Sequence, residues 1–127
     1  MPQLPETPTL NDYQTYVVAL EIERGFSDQG PIDKCLLLGE EVGELFKAVR
    51  KAEGLVVDAN SHVGEIGHEL ADVFVYLCAL ANRYDVDLET AFRAKEAINK
   101  TRVWRGPGDG LSGGRDPAIA EPGPARR

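Results

Sequence analysis

Hydrophobic residues recur along this chain at the spacing of three to four residues that is typical of helices burying one side. Capping and stop signals divide this pattern into four segments. The predicted helices follow Thr9, begin near Ile32, follow Ser61 and follow Asp87, and they end near Arg24, Glu53, Tyr84 and Trp104, respectively. No segment alternates with a period of two for long enough to predict a strand. We therefore expect an all-α fold, a four-helix bundle.

The two ends of the chain differ in composition from this helical part. Residues 1–8 form a proline-rich lead-in, and residues 105–127 contain six glycines and four prolines without apolar periodicity. A segment of that composition cannot bury enough surface to offset its ordering entropy. We expect a helical domain over 9–104 and a flexible tail over 105–127.

The second predicted helix carries acidic residues on its apolar side. That side consists of Leu38, Val42, Leu45 and Val49. Glu41 falls within this stripe, Glu44 lies at its edge, and Glu40 lies further toward solvent. A lone carboxylate facing a core costs several kcal/mol, so we expect Glu41 to be neutralised or to have a partner.

The third predicted helix is apolar on almost every side from Leu70 to Ala81. Its acidic residues are confined to one line of Glu65, Glu69 and Asp72, which Tyr76 continues. Glu69 and Asp72 are three positions apart and are therefore neighbours on the helix surface.

Two helices thus each direct a pair of carboxylates toward an interior. Four such groups would repel one another, and a hard divalent cation would remove this repulsion. Ligands that offer only oxygen favour Mg²⁺ or Mn²⁺ over Zn²⁺. The predicted metal ligands are Glu41, Glu44, Glu69 and Asp72.

The fourth predicted helix continues its inward stripe with polar and basic residues, Lys95, Asn99 and Arg102. Cations beside an acidic metal site suit a strongly anionic substrate such as a polyphosphate. The chain as a whole has 14 basic and 21 acidic residues, a formal net charge of −7. This balance argues against a groove for a nucleic-acid polymer.

These motifs together resemble the MazG-type all-α nucleoside triphosphate pyrophosphohydrolases. The matching residues are E-E-x-x-E at Glu40, Glu41 and Glu44, E-x-x-D at Glu69 and Asp72, and K-x-x-x-N at Lys95 and Asn99. The resemblance covers roughly residues 10–104, and it implies cleavage of an NTP or dNTP between the α- and β-phosphates to a nucleoside monophosphate and pyrophosphate.

The resemblance also implies a role for each motif. Glu41, Glu44, Glu69 and Asp72 would bind Mg²⁺. Glu40 would act either as a base or as a carboxylate outside the ligand set that orients the attacking water. Lys95, Asn99 and Arg102 would contact the nucleotide. Because four carboxylates with one Mg²⁺ keep a net charge of about −2, we expect more than one ion when substrate is bound. A homodimer or homotetramer is implied as well, and a small bundle could hardly cover the third helix without a partner.

Two alternatives remain open at the level of sequence. Phosphoribosyl-ATP pyrophosphatases are a related helical family with similar acidic motifs, and they cleave the same bond. A metal-stabilised oligomerisation or regulatory module would have no enzymatic activity.

The remaining features of the sequence suggest a cytoplasmic protein. The first residues lack the basic start and apolar run of a secretory signal. The longest uncharged apolar stretch, Val73–Ala81, is too short to span a bilayer, which needs about 20 residues. Cys35 and Cys78 lie in apolar helical patterns, and we expect both to be reduced core thiols.

Overall fold

A computed structural model describes residues 1–55, 57–60 and 62–103. Within these residues the chain forms α-helices and no strands. The helices are α1 (Leu10–Arg24), α2 (Pro31–Ala52), α3 (Ile66–Arg83) and α4 (Leu88–Asn99). The predicted all-α fold is therefore confirmed.

Local signals set both ends of α1 where the sequence predicts them. The Thr9 hydroxyl accepts a hydrogen bond from the Asp12 amide at 3.1 Å, and the Asp12 carboxylate accepts one from the Thr9 amide at 2.8 Å. This reciprocal pair is a capping box. At the other end Gly25 adopts a left-handed conformation, φ 78°, which stops the helix at low steric cost.

Helix α2 also follows its predicted bounds closely. Pro31 occupies its first turn, where the missing N–H costs nothing. Gly54 has a φ of 90° and lies just beyond the C-cap residue Glu53.

Two other helix ends differ from the prediction. Ser61 lies outside the described residues, but residues 62–65 are not helical, and α3 begins only at Ile66 with Glu65 as its N-cap. Gly64 loses more backbone entropy than other residues on entering a helix, which favours this later start. Helix α4 ends at Asn99, because the following amides of Thr101 and Arg102 bond three residues back and tighten the turn. Trp104, the predicted end, lies outside the described residues, as does the predicted tail.

The chain divides into two compact units, Met1–Glu89 and Thr90–Arg127. In the first unit α3 packs against both α1 and α2. The core lies between α1 and α3 and consists of Val17, Leu20, Cys78 and Ala79. Tyr13 and Phe74 extend it with an edge-to-face contact, with ring centroids 5.3 Å apart. The second unit is described as far as residue 103 and contains most of α4.

The two cysteines have different surroundings. Cys78 is fully buried, and burial raises the pKa of its thiol to about 11. Cys35 is exposed, so the prediction of a core thiol is wrong there. Helix α2 has apolar residues on two sides, and only packing against α3 decides which side faces inward.

None of the described helices is both long and apolar enough to cross a membrane.

Candidate active site

Three carboxylates meet where α2 packs against α3. Helix α2 supplies Glu41, and α3 supplies Glu69 and Asp72 at positions three apart. One carboxylate oxygen from each residue lies within 4.8 Å of the other two. We call this group the acidic cluster. Glu69 is buried, Glu41 is partly buried and Asp72 is exposed, so the acidic cluster is closed at one side and open to solvent at the other.

The electrostatics of the acidic cluster are unfavourable for the protein alone. Burial raises the pKa of Glu41, and the charges of Asp72, Glu69 and Glu44 raise it further. A side-chain hydrogen bond with Asp72 acts in the same direction. Each of these influences disfavours a second or third negative charge at this position.

The donor set fits a hard divalent cation. Oxygen ligands at about 2.0–2.6 Å from one ion are at most about 4–5 Å apart, which agrees with the spacing of these three oxygens. Carboxylate oxygens without sulfur or imidazole favour Mg²⁺ or Mn²⁺ over softer metals. An ion here would also offset the repulsion that raises the pKa of Glu41.

Two further predicted residues lie on the same stretch of α2. Glu44 is exposed, one helical turn beyond Glu41, and it is not among the three residues of the acidic cluster. Its charge nevertheless contributes to the raised pKa of Glu41. Glu40 is exposed as well, and its charge is one of those that raise the pKa of Tyr76.

Tyr76 links the acidic cluster to a second group of charges. Burial raises the pKa of its phenol most, followed by the charges of Glu41 and Asp72. The ammonium of Lys34 lies over the same ring, 5.4 Å from its centroid. Tyr76 therefore lies between negative and positive groups along the α2–α3 contact.

This second group is a buried ion network that sequence analysis missed. Lys34 is only 1% exposed, and its Nζ lies 2.7 Å from Glu21 Oε2. Arg83 Nη1 lies 2.7 Å from the other Glu21 oxygen, and Gln29 Oε1 accepts a hydrogen bond from Lys34 Nζ at 2.7 Å. Although burial acts in the opposite direction, the hydrogen bonds from Arg83 and Lys34 hold the pKa of Glu21 below its ordinary value.

A signal for this network was present in the helical spacing. Lys34 precedes Glu41 by seven residues, which places the two on the same side of α2. On α1, Glu21 follows the buried residues Val17 and Gln14 at helical intervals. Polar residues inside an apolar stripe therefore mark the network as well as the acidic cluster.

The predicted substrate-binding residues lie in the second unit. Lys95 is exposed on α4, and the Asn99 side-chain amide donates to Glu96 Oε2 at 3.0 Å. Arg102 follows the helix, and its backbone amide donates to the Asn99 carbonyl at 3.0 Å. Their contact with a nucleotide stays a prediction.

The fold and the acidic cluster define a class, all-helical proteins that collect carboxylates from two adjacent helices around divalent cations. Residues 29–103 match the family model of the MazG nucleotide pyrophosphohydrolase domain, which covers more than half of the chain. The chain therefore belongs to the MazG nucleotide pyrophosphohydrolase family, and it is an enzyme of that class.

Solved structures of this family are similar to the chain. A MazG-like pyrophosphohydrolase of cyanophage S-2L, bound to dGDP and three catalytic Mn²⁺ ions per active site, is 28% identical with a TM-score of 0.59, covering 83% of this chain and 92% of that one. A Bacillus-conserved MazG protein, a nucleotide pyrophosphohydrolase, is 29% identical with a TM-score of 0.59, covering 82% and 99%. The iMazG protein of Vibrio DAT 722 is 32% identical with a TM-score of 0.54, covering 75% and 97%. A search of the curated proteins gives no match.

Proposed function

We propose that this enzyme hydrolyses a nucleoside or deoxynucleoside triphosphate between its α- and β-phosphates, releasing a nucleoside monophosphate and pyrophosphate. The observation that carries the proposal is the acidic cluster, in which α2 and α3 place three carboxylate oxygens within 4.8 Å of one another. In a member of the nucleotide pyrophosphohydrolase family, such a group suits a cation-bound polyphosphate.

In this proposal Glu41, Glu69 and Asp72 hold the first divalent cation, and Glu44 serves as a ligand at the exposed edge. A bound cation offsets phosphate charge and lowers the pKa of coordinated water. The burial of Glu69 holds one ligand on the protein side, while exposed Asp72 borders the open side where substrate arrives.

Glu40 is the proposed proton acceptor. It is exposed and is next to Glu41 in the sequence, and in this proposal it reaches a water molecule at the open side of the acidic cluster. The water oxygen attacks the α-phosphorus and the bond from that phosphorus to the bridging oxygen breaks. Pyrophosphate then leaves with the bridging oxygen, and Glu40 accepts the proton of the water.

Lys95, Asn99 and Arg102 are the proposed contacts to the nucleotide. Lys95 and Asn99 are four residues apart on α4, which places them on the same side of that helix, and Arg102 follows three residues after the helix ends. Two basic groups and one amide suit phosphate oxygens that the cation leaves uncompensated.

We propose Mg²⁺ as the cation, with Mn²⁺ able to replace it and more than one ion present with substrate. The cyanophage protein binds three Mn²⁺ ions, and four carboxylates in this chain with a triphosphate carry more charge than one ion offsets. Titration of the protein with Mn²⁺, with and without a triphosphate analogue whose α–β bridge is a methylene group, measures the number of ions bound. A single ion in both titrations would contradict this proposal.

The reaction is tested by product analysis in ¹⁸O-labelled water. NTPs, dNTPs, modified nucleotides, nucleoside diphosphates and phosphoribosyl-ATP are each incubated with Mg²⁺ or Mn²⁺. We expect pyrophosphate from triphosphates and the label in the monophosphate, because water attacks the α-phosphorus. Label in pyrophosphate, or release of inorganic phosphate from triphosphates, would contradict the proposal. Selective turnover of phosphoribosyl-ATP would indicate the related pyrophosphatase instead.

The separate roles of neighbouring residues are tested by Glu41→Gln and Glu40→Gln. Losing a ligand removes several kcal/mol of transition-state stabilisation, so Glu41→Gln should lower kcat/KM about 100-fold or more and weaken Mn²⁺ binding. Glu40→Gln should lower kcat by a similar factor but keep Mn²⁺ affinity. Near-normal turnover of Glu41→Gln would contradict the proposed ligand set.

We also propose that the chain forms a homodimer or homotetramer. Large apolar side chains are exposed on the outer side of α2 and on α3, namely Ile32, Leu36, Phe46, Leu70 and Leu77. Several large exposed apolar side chains on neighbouring helices are typical of an interaction site.

A further inference from the structure

Gly64 lies directly against the carboxylate of Glu69. A Cβ atom added at Gly64 would overlap Glu69 Oε2 and would lie 3.0 Å from Glu69 Cδ. Among the described glycines only Gly25 and Gly54 have positive φ, so the backbone conformation at residue 64 does not itself require glycine. A side chain at residue 64 would instead displace the end of the Glu69 side chain.

The Glu69 carboxylate is confined on its other side by the acidic cluster. Its residue is 9% exposed, and an oxygen of its carboxylate lies within 4.8 Å of oxygens on Glu41 and Asp72. Glu69 is in the first turns of α3, where its backbone amide donates to the Glu65 carbonyl at 3.0 Å. The helix thus fixes the base of the side chain, and the missing Cβ at Gly64 leaves room for its end.

Repulsion makes this confinement important. The three carboxylates favour separation when no cation offsets their charge. A side chain at residue 64 would occupy the place of the Glu69 carboxylate and push it away from the other two. Because the end of a glutamate is flexible, this displacement requires rotation of Glu69 and no change in α3.

We infer that Gly64 is a positioning residue, whose lack of a side chain lets Glu69 join Glu41 and Asp72 around a divalent cation. This inference rests on the proposed function, since it assumes that the acidic cluster binds the ion. It adds a requirement that neither acidic motif contains, because Gly64 lies outside both.

The test compares Gly64→Ala with Gly67→Ala. Gly67 lies in the first turn of α3, and a Cβ there meets nothing within 4 Å, so this variant is a matched control. Mn²⁺ affinity of the full chain is measured by electron paramagnetic resonance, with circular dichroism to confirm helix content. We expect Gly64→Ala to weaken Mn²⁺ binding about 10-fold or more, and Gly67→Ala to leave it unchanged.

A second arm separates displacement of Glu69 from general damage to the fold. Asp is shorter than Glu by one methylene, so Glu69→Asp leaves room for a Cβ at residue 64. Glu69→Asp alone weakens binding by shortening the ligand. Adding Gly64→Ala to that variant should weaken Mn²⁺ binding little further. The effects of the two substitutions on Mn²⁺ affinity should therefore be strongly coupled in a double-mutant cycle.

The outcomes distinguish this inference from the proposed function. If the unmodified chain binds no Mn²⁺, the proposed function fails first. If it binds Mn²⁺ and Gly64→Ala binds within about twofold of it, Gly64 has no positioning role. The inference is also overturned if Gly64→Ala weakens Mn²⁺ binding by the same factor in the Glu69→Asp variant as in the unmodified chain. This conclusion holds even if Gly64→Ala alone lowers the stability of the protein.

Discussion

Two glutamates of this protein have pKa values shifted in opposite directions because their neighbours differ. Glu21 lies between Lys34 and Arg83, and hydrogen bonds from these cations outweigh its burial. Glu41 lies beside Asp72 and Glu69, and burial and charge both disfavour its ionised form. The first arrangement favours the folded state, whereas the second favours the binding of a cation.

Replacement of Glu41 should therefore separate stability from function. We expect Glu41→Gln to raise the free energy of unfolding of the metal-free protein by about 0.5 kcal/mol or more, because it removes one of several like charges. Mn²⁺ should raise the Tm of the unmodified protein but not of the variant. Differential scanning fluorimetry with and without Mn²⁺ measures both effects, and the exposed Glu6→Gln is the control. A variant less stable than the original without metal would contradict the expectation.

The ion network should make the free energy of unfolding depend on pH in the acidic range. The folded-state pKa of Glu21 is below the ordinary value of 4.5, so its contribution is present above that pH and is lost as the pH falls through the folded-state value. Glu21→Gln should lower the free energy of unfolding by about 3 kcal/mol at neutral pH, since it removes the charge that pairs with buried Lys34 and partly buried Arg83. The difference between variant and original should shrink in urea unfolding below pH 4.5. A difference that stays constant with pH would argue against this role.

The candidate site is only partly predictable at this scale. Glu41, Glu69 and Asp72 were predicted because each interrupts or borders an apolar stripe of its own helix, which sequence spacing records. The roles of Gly64 and Lys34 were not predicted, because each depends on a side chain that only the folded chain brings close. Lys34, for example, meets Glu21 from another helix.

At the scale of elements, local chemistry predicted some helix ends and not others. The capping box of Thr9 and the left-handed Gly25 act within a few residues, so their effect is readable from sequence. The start of α3 was predicted too early because Ser61 offered a possible cap. Glycine at residue 64 favours the later start at Ile66, because glycine loses more backbone entropy in a helix than other residues.

The capping box is testable by Thr9→Ala. The substitution leaves the Asp12 amide without its acceptor, and loss of such a cap costs about 1 kcal/mol. Urea unfolding should show this decrease, whereas Thr7→Ala, two residues earlier and outside the helix, should show none. Equal stability of the two variants would show that the cap contributes nothing.

At the scale of the whole molecule, the main feature is apolar surface that one copy leaves uncovered. Phe46 is 68% exposed and Leu36 is 70% exposed, both on α2. Leu70 and Leu77 of α3 are exposed too, which agrees with the expectation that a single small bundle could hardly cover this helix. A second copy of the chain would cover such surface, in agreement with the proposed oligomer.

The proposed oligomer is tested by Phe46→Glu. A charge on this exposed apolar side should lower the mass measured by light scattering after size exclusion to that of a smaller assembly or a monomer. Val57→Glu places the same charge at an exposed loop residue and should leave the mass unchanged. A monomeric mass for the unmodified chain would contradict the proposal directly.

The sequence by itself determined the all-α fold and the family, and it predicted four candidate metal ligands, three of which the structure brings together in the acidic cluster. Helical periodicity and acidic spacing are properties of single helices, so they are legible without any tertiary contact. Only the tertiary structure decided which apolar side of α2 faces inward, how Lys34 and Arg83 meet Glu21, and how closely Gly64 approaches the Glu69 carboxylate. These features arise from distances between separate segments, and such distances exist only after the helices have packed.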